Sequence, residues 1–196
     1  MASQDKVLTP ELKRIIKIFL FSSFGLVLVF SFFNSYRADN SQKDKTFQVS
    51  DSARLFFLNL RAIHYDREIR RDAGMTLFRH SKRVQSESKP ILNPVILLNP
   101  NKDEAYILWE LENAEFPVGV LAYKNQDSVL LSLNQGNNMA HLNFFNQLRP
   151  LIQEDYFFEL LLEGEKTPIW SNEQEKDVLK TLVEDYLRLL DQPNKN

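Results

Sequence analysis

The sequence predicts an α+β chain: one N-terminal transmembrane helix, then a compact domain with a mostly antiparallel sheet and a C-terminal amphipathic helix. Three observations predict it. Residues 14–37 read RIIKIFLFSSFGLVLVFSFFNSYR, with no charge from Ile18 to Phe33. Downstream, short apolar runs come in pairs around the turn-rich joints NPNKDE and KNQD, as antiparallel hairpins require. Near the end, SNEQEKDVLKTLVEDYLRLLDQP repeats its apolar residues at helical spacing.

The first element is a short head, residues 1–13. It carries one helix start, with Thr9 as N-cap, Pro10 as first helical residue and Glu11 at the positive end of the dipole. Residues 14–36 are the expected signal-anchor. From Ile15 to Tyr36 a helix would extend about 33 Å, against about 30 Å of hydrocarbon, if the Lys17 ammonium reaches back to the headgroups. Bulky FSFF closes the run where signal-peptide cleavage needs small residues, so the anchor is read as uncleaved. Lys13, Arg14 and Lys17 cluster just before the run, which predicts a cytoplasmic N-terminus. The expected location is the bacterial inner membrane, single-pass, with the C-terminal domain exoplasmic (periplasmic). Residues 37–46 form a polar linker, RADNSQKDKT, and residues 47–196 are long enough for one domain with a real core.

Within that domain, RLFFLNLRAIHY (54–65) fits a strand or a short helix, and periodicity alone does not separate them. Residues 76–84 alternate weakly and read as a strand. PVILLN (94–99) with AYILWEL (105–111), and VGVLAY (118–123) with SVLLSL (128–133), read as two hairpins. Residues 140–148 look helical and are expected to stop near Pro150. YFFELLL is a strand bounded by Gly164. The doublet Phe157-Phe158 then needs both sheet faces covered or one phenyl given to a partner. The total is about five strands. The last helix is expected to be capped by Ser171 with Gln174 three residues on, and to end at Pro193. Val178, Leu179, Leu182, Val183, Tyr186, Leu187 and Leu190 form its apolar face.

The sequence carries no catalytic or cofactor signature. It has no cysteine, no GxSxG elbow, no phosphate-cradling glycine loop and no HExxH. The three histidines, His64, His80 and His141, lack the spacing of a helical metal pair, so no metal or cofactor is expected. Glu110 and Glu112, flanked by Trp109 and Leu111, read as a solvated sheet face. Nucleic acid is not an expected partner, because the acidic C-terminal part would repel phosphates.

Charge is distributed unevenly although the chain is near neutral. From Arg61 to Lys89 eight basic residues stand against four acidic ones, and from Glu154 to Asp191 eleven acids stand against four bases. The arginines of HYDREIRRDAG, namely Arg67, Arg70 and Arg71, are the candidate partner-binding residues, since a guanidinium fork meets carboxylates bidentately. Arg67 and Arg71 share a face if the segment is helical. The rival roles are a brace against the acidic C-terminal helix, contact with lipid headgroups, or simple solvation.

A short head, one anchor and a compact exoplasmic domain resemble the small bitopic subunits of bacterial envelope machines such as secretion, division or conjugation systems. That resemblance implies a noncatalytic membrane-anchored subunit or scaffold, partnered with the lipid bilayer through 14–36 and with other envelope proteins, as a monomer or as an oligomer. The alternative is a membrane-anchored exoplasmic hydrolase with a site assembled from distant residues. A deep apolar pocket holding two or more of His64, His80, His141, Asp66 and Glu110 would favour the enzyme. An uncovered strand edge or exposed apolar strip would favour the subunit.

Overall fold

A computed structural model of the chain describes residues 9–32, 46–162 and 164–191, with side chains for all of these except 28–32. Contacts divide the chain into two units, Met1–Asp39 and Asn40–Asn196.

The described part of the first unit is one helix, α1 (Pro10–Phe32). Its start follows the expected chemistry, with the Thr9 hydroxyl accepting from the Leu12 amide at 3.2 Å. Its remaining length corrects the membrane reading. Among the described residues no helix is long and apolar enough to cross a membrane. Glu11, Lys13, Arg14 and Lys17 occupy the first two turns of α1. The uncharged stretch left to it, 18–32, extends about 22 Å, short of the roughly 30 Å hydrocarbon layer. The expected signal-anchor, its bilayer partner and the cytoplasmic-to-periplasmic topology are therefore withdrawn. With them go the envelope subunit and the membrane-anchored hydrolase. Residues 1–8 of the head, 33–36 of the anchor and 37–45 of the linker lie outside the described residues.

The second unit is α+β with antiparallel sheets. Ser50 caps α2 (Asp51–Phe56), its hydroxyl accepting from the Ala53 amide. The chain continues as a wider π turn (Phe57–Arg61) and a 3₁₀ turn (Ala62–His64). This resolves the ambiguous RLFFLNLRAIHY segment as helical up to His64. Ala53 and Phe57 turn inward, while Leu55, Leu60 and Ile63 face out.

Two four-stranded sheets follow, correcting the expectation of about five strands. The first contains β1 (Tyr65–Arg70), β2 (Met75–His80), β3 (Ile91–Asn99) and β4 (Glu104–Glu112), in that order. The second contains β5 (Val118–Lys124), β6 (Asp127–Leu133), β7 (Phe157–Leu162) and β8 (Glu165–Ile169), ordered β6-β5-β7-β8. The unforeseen strands are β1 (YDREIR) and β8 (EKTPI), both at edges. An edge strand carries charge on both faces and tolerates a proline such as Pro168, so neither shows the alternation that marks a half-buried strand.

Each sheet gives one face to a shared core. Phe78, Ile96, Ile107 and Trp109 come from the first sheet, and Val120, Phe158 and Leu160 from the second. Two helices complete this core: α3 (Asn138–Gln153), through Phe144, Phe145 and Leu148, and α4 (Glu173–Leu189), through Leu179, Leu182 and Tyr186. The opposite face of β3 is buried too, in a smaller cluster of Leu77, Val95, Leu97 and Tyr106. Helix α3 runs past Pro150 rather than ending there. Both Pro150 and the carbonyl-bearing Asn146 one turn before it are exposed, so water can take the hydrogen bond that proline cannot donate.

The cap of α4 lies one residue later than expected. Asn172 accepts from the Glu175 amide at 2.8 Å, and the Glu175 carboxylate accepts from the Ser171 amide, one residue before the cap, at 2.7 Å, a variant of the capping box. The expected stop at Pro193 lies outside the described residues.

Candidate functional site

A cleft of about 400 Å³ lies where α4 passes the end of β2 and the turns before β1. Arg61 and His64 come from the turns, His80, Ser81 and Lys82 from the end of β2, and Gln174, Asp177, Val178 and Thr181 from α4. Beneath it lies a buried ionic cluster. Asp185, 4% exposed, accepts from Arg61 Nε at 2.7 Å through one carboxylate oxygen and from the Tyr65 hydroxyl at 2.7 Å through the other. Both oxygens of a buried carboxylate are thus hydrogen-bonded, which is the condition for keeping its charge there. The bond to Asp185 raises the Arg61 pKa above its ordinary value. Burial, then the neighbouring Asp185 charge, pushes the Tyr65 phenol far up, so it stays a donor.

His80 stands beside this cluster, its ring edge-on to Tyr65 at 5.2 Å. Its Nδ1 accepts from the Lys82 amide at 3.2 Å, which places the proton of the neutral ring on Nε2. Burial lowers the His80 pKa first. His64, Lys82 and Arg61 lower it further, against the opposing pull of Asp185. Among the described residues, neither the His64 imidazole nor the Lys82 ammonium has a hydrogen-bond or ion-pair partner.

The second candidate surface is the outer edge of β1. The Ser81 amide donates to the His64 carbonyl, so 64 and 81 form a hydrogen-bonded pair. In an antiparallel ladder such pairs alternate, and the register joins 66 to 79, 68 to 77 and 70 to 75. The backbone amides and carbonyls of Arg67 and Ile69 therefore point to the open side, where no strand pairs among the described residues. The other edge of this sheet differs. Residues 47–49 run along β4, with the Ala105 amide donating to the Phe47 carbonyl and the Val49 amide to the Asp103 carbonyl.

The acids around β1 are all neutralised. Asp66 meets Arg83 at 2.5 Å, and Glu68 meets Arg79 at 2.7 Å while Arg79 also grips Glu110 with two bonds of 2.6 Å. Asp72 and Glu68 flank Arg70 at 3.6 and 3.3 Å. Arg67 and Arg71 are left, exposed and without a partner among the described residues. The condition on which they were to share a helical face is not met, because residues 65–70 are a strand. Arg67 projects with Tyr65 and Ile69, and Arg70 projects from the opposite face.

The histidine candidates separate. His64 and His80 both line the cleft, whose wall mixes charged and neutral polar side chains with Val178 rather than forming a deep apolar pocket. His141 is buried on α3, where it accepts from the Trp109 amide at 3.2 Å. Asp66 and Glu110 are occupied by arginines. No group of three metal-ligating side chains occurs among the described residues. Sequence reasoning missed the burial of Asp185, although Leu182, Asp185, Tyr186 and Leu189 share one helical face. Comparison with known protein families, curated proteins and solved structures finds no match for this chain.

Proposed function

We propose that residues 47–196 are a noncatalytic protein-binding module that takes an acidic, extended segment of a partner protein along the open edge of β1. One observation carries the reading: the free backbone groups of Arg67 and Ile69 coincide with Arg67 and Arg71, two exposed arginines that pair with no acid among the described residues. A strand added to this edge gains main-chain hydrogen bonds, and its carboxylates meet guanidinium groups already stripped of internal partners. Apolar side chains lie along the same segment, Ile63 being 75% and Ile69 56% exposed, and supply contact area beside the charges. A second copy is a poorer occupant. Two such edges side by side would oppose arginine to arginine, a common device against edge-to-edge association.

The test uses the full chain and an eight-residue peptide of alternating glutamate and valine. Arg67→Glu with Arg71→Glu is expected to weaken binding about tenfold or more while leaving Tm within about 1 °C, since neither side chain braces the fold. Raising salt from 50 to 300 mM weakens the wild-type interaction, and a lysine–valine peptide does not bind. Equal binding by the charge-reversed variant, or by the lysine peptide, refutes the proposal.

A further inference from the structure

We propose that the cleft between the turns at 61–64, the end of β2 and α4 is a second binding site, for a small oxyanion held by the Lys82 ammonium and the His64 and His80 imidazoles. This surface is separate from the outer edge of β1, and the inference does not depend on that edge. The volume of about 400 Å³ lies in the range of small-molecule sites, so a sulfate-, phosphate- or carboxylate-bearing molecule fits with room beyond its charged group. Ser81, Gln174 and Thr181 add neutral hydrogen-bonding groups to the wall.

The charges favour an anion. From the turns come Arg61 and His64, and from the end of β2 come His80 and Lys82. From α4, Asp177 lines the cleft, Glu184 acts on Arg61, and Asp185 lies below. Glu175 and Arg83 border His80 on its other side, in a narrow void beside Trp170. Asp185 is consumed by Arg61 and Tyr65, so it does not neutralise the rest. Lys82 and two imidazoles then face the single carboxylate of Asp177.

The protonation of His80 is linked to this site. After burial, the charges that hold its pKa down are His64, Lys82 and Arg61, the groups an anion in the cleft would offset. Anion binding and protonation of His80 therefore favour each other, and the anion binds more tightly as pH falls.

Sulfate is the probe, because it stays doubly charged throughout the histidine range and any pH dependence belongs to the protein. The full chain is titrated with sulfate at constant ionic strength in chloride, at pH 5.5 and pH 8, while the histidine ring protons are followed by NMR. The expected result is a saturable shift of the His64 and His80 signals with His141 unmoved. Affinity is about tenfold higher at pH 5.5, and the His80 midpoint rises by about half a unit or more at saturation. His64→Gln with Lys82→Gln, both exposed positions, is expected to weaken binding about fivefold or more at unchanged Tm. No saturable shift at pH 5.5, equal affinity at the two pH values, or equal affinity in the double variant overturns the proposal.

Discussion

Replacing Asp185 by alanine perturbs the folded domain at its most exacting polar contact. The carboxylate is 4% exposed and serves two donors, Arg61 and Tyr65. Alanine leaves the Tyr65 hydroxyl, on a side chain 7% exposed, without an acceptor, a loss of about 1–3 kcal/mol. The Arg61 side chain is 30% exposed and borders the cleft, so its guanidinium can turn to water. Its loss therefore falls well below the roughly 3–5 kcal/mol of a fully buried broken pair, at about 1 kcal/mol. The expected destabilisation is about 3 kcal/mol, or a Tm lower by about 6–12 °C for a domain of this size. Tyr65→Phe keeps the Arg61–Asp185 pair and removes one charge-assisted bond, so it costs about half as much. Calorimetry or circular dichroism melts read both. Because the Asp185 carboxylate itself is buried, 0.5 M salt should leave most of the difference intact. A Tm within about 2 °C of wild type for Asp185→Ala refutes the view that this cluster ties the turns before β1 to α4.

Stability is expected to fall on acidification. Burial depresses the pKa of both His80 and His141, so each contributes stability that is present above the unfolded value of 6.5 and lost as pH falls through the folded one. The slope is at most about 1.4 kcal/mol per pH unit for each, and melts between pH 7 and pH 5 measure it; His141→Gln should flatten it. At the alkaline end the sign reverses. Buried Tyr65 and Tyr186 have raised pKa values, so their contribution holds below pH 10 and is lost above it, with Tyr65→Phe blunting the loss. Asn172→Ala removes the α4 cap and should cost about 1 kcal/mol by urea titration, whereas Ser171→Ala should cost far less. Gly136→Ala would set a Cβ 2.5 Å from that of Ala140 at the start of α3, so it should destabilise measurably despite its exposed position.

The two central hairpins could be read from the chain because their strands are apolar runs, β3 buried throughout and β5 alternating, and their joints are rich in turn residues. VGVLAY alternates inward Val118, Val120 and Ala122 with outward Gly119 and Leu121, and this pattern is what the ladder with β6 requires. The edge strands were invisible for the same physical reason. In YDREIR only Tyr65 is buried, and an edge strand need not keep one face apolar. The pairing of Phe157 with Phe158 was half legible. Phe158 is buried, while Phe157 is 50% exposed and stacks on Tyr123 at 5.8 Å. The membrane reading failed because it needed Ile15–Tyr36 as one span with Lys17 reaching back to the headgroups, whereas among the described residues no helix is long and apolar enough to cross a membrane. The cleft was illegible, since His64 and His80 lie sixteen residues apart and meet only through the β1–β2 hairpin, where α4 supplies the opposite wall. Arg67 and Arg71 stood out by composition, but the reason they matter, that Arg79 and Arg83 have already taken the neighbouring acids, needed the register of three strands.

The measurement that bears most directly on the binding-module account is amide hydrogen exchange of the full chain, read residue by residue with and without the glutamate–valine peptide. A partner strand on the edge of β1 protects the outward amides of Arg67 and Ile69 and leaves those of Asp66, Glu68 and Arg70, already bonded to β2, nearly unchanged. The account predicts that alternating pattern, slowed about tenfold or more at 67 and 69 and absent from Arg67→Glu with Arg71→Glu. Saturating peptide with no added protection at 67 and 69 would contradict it.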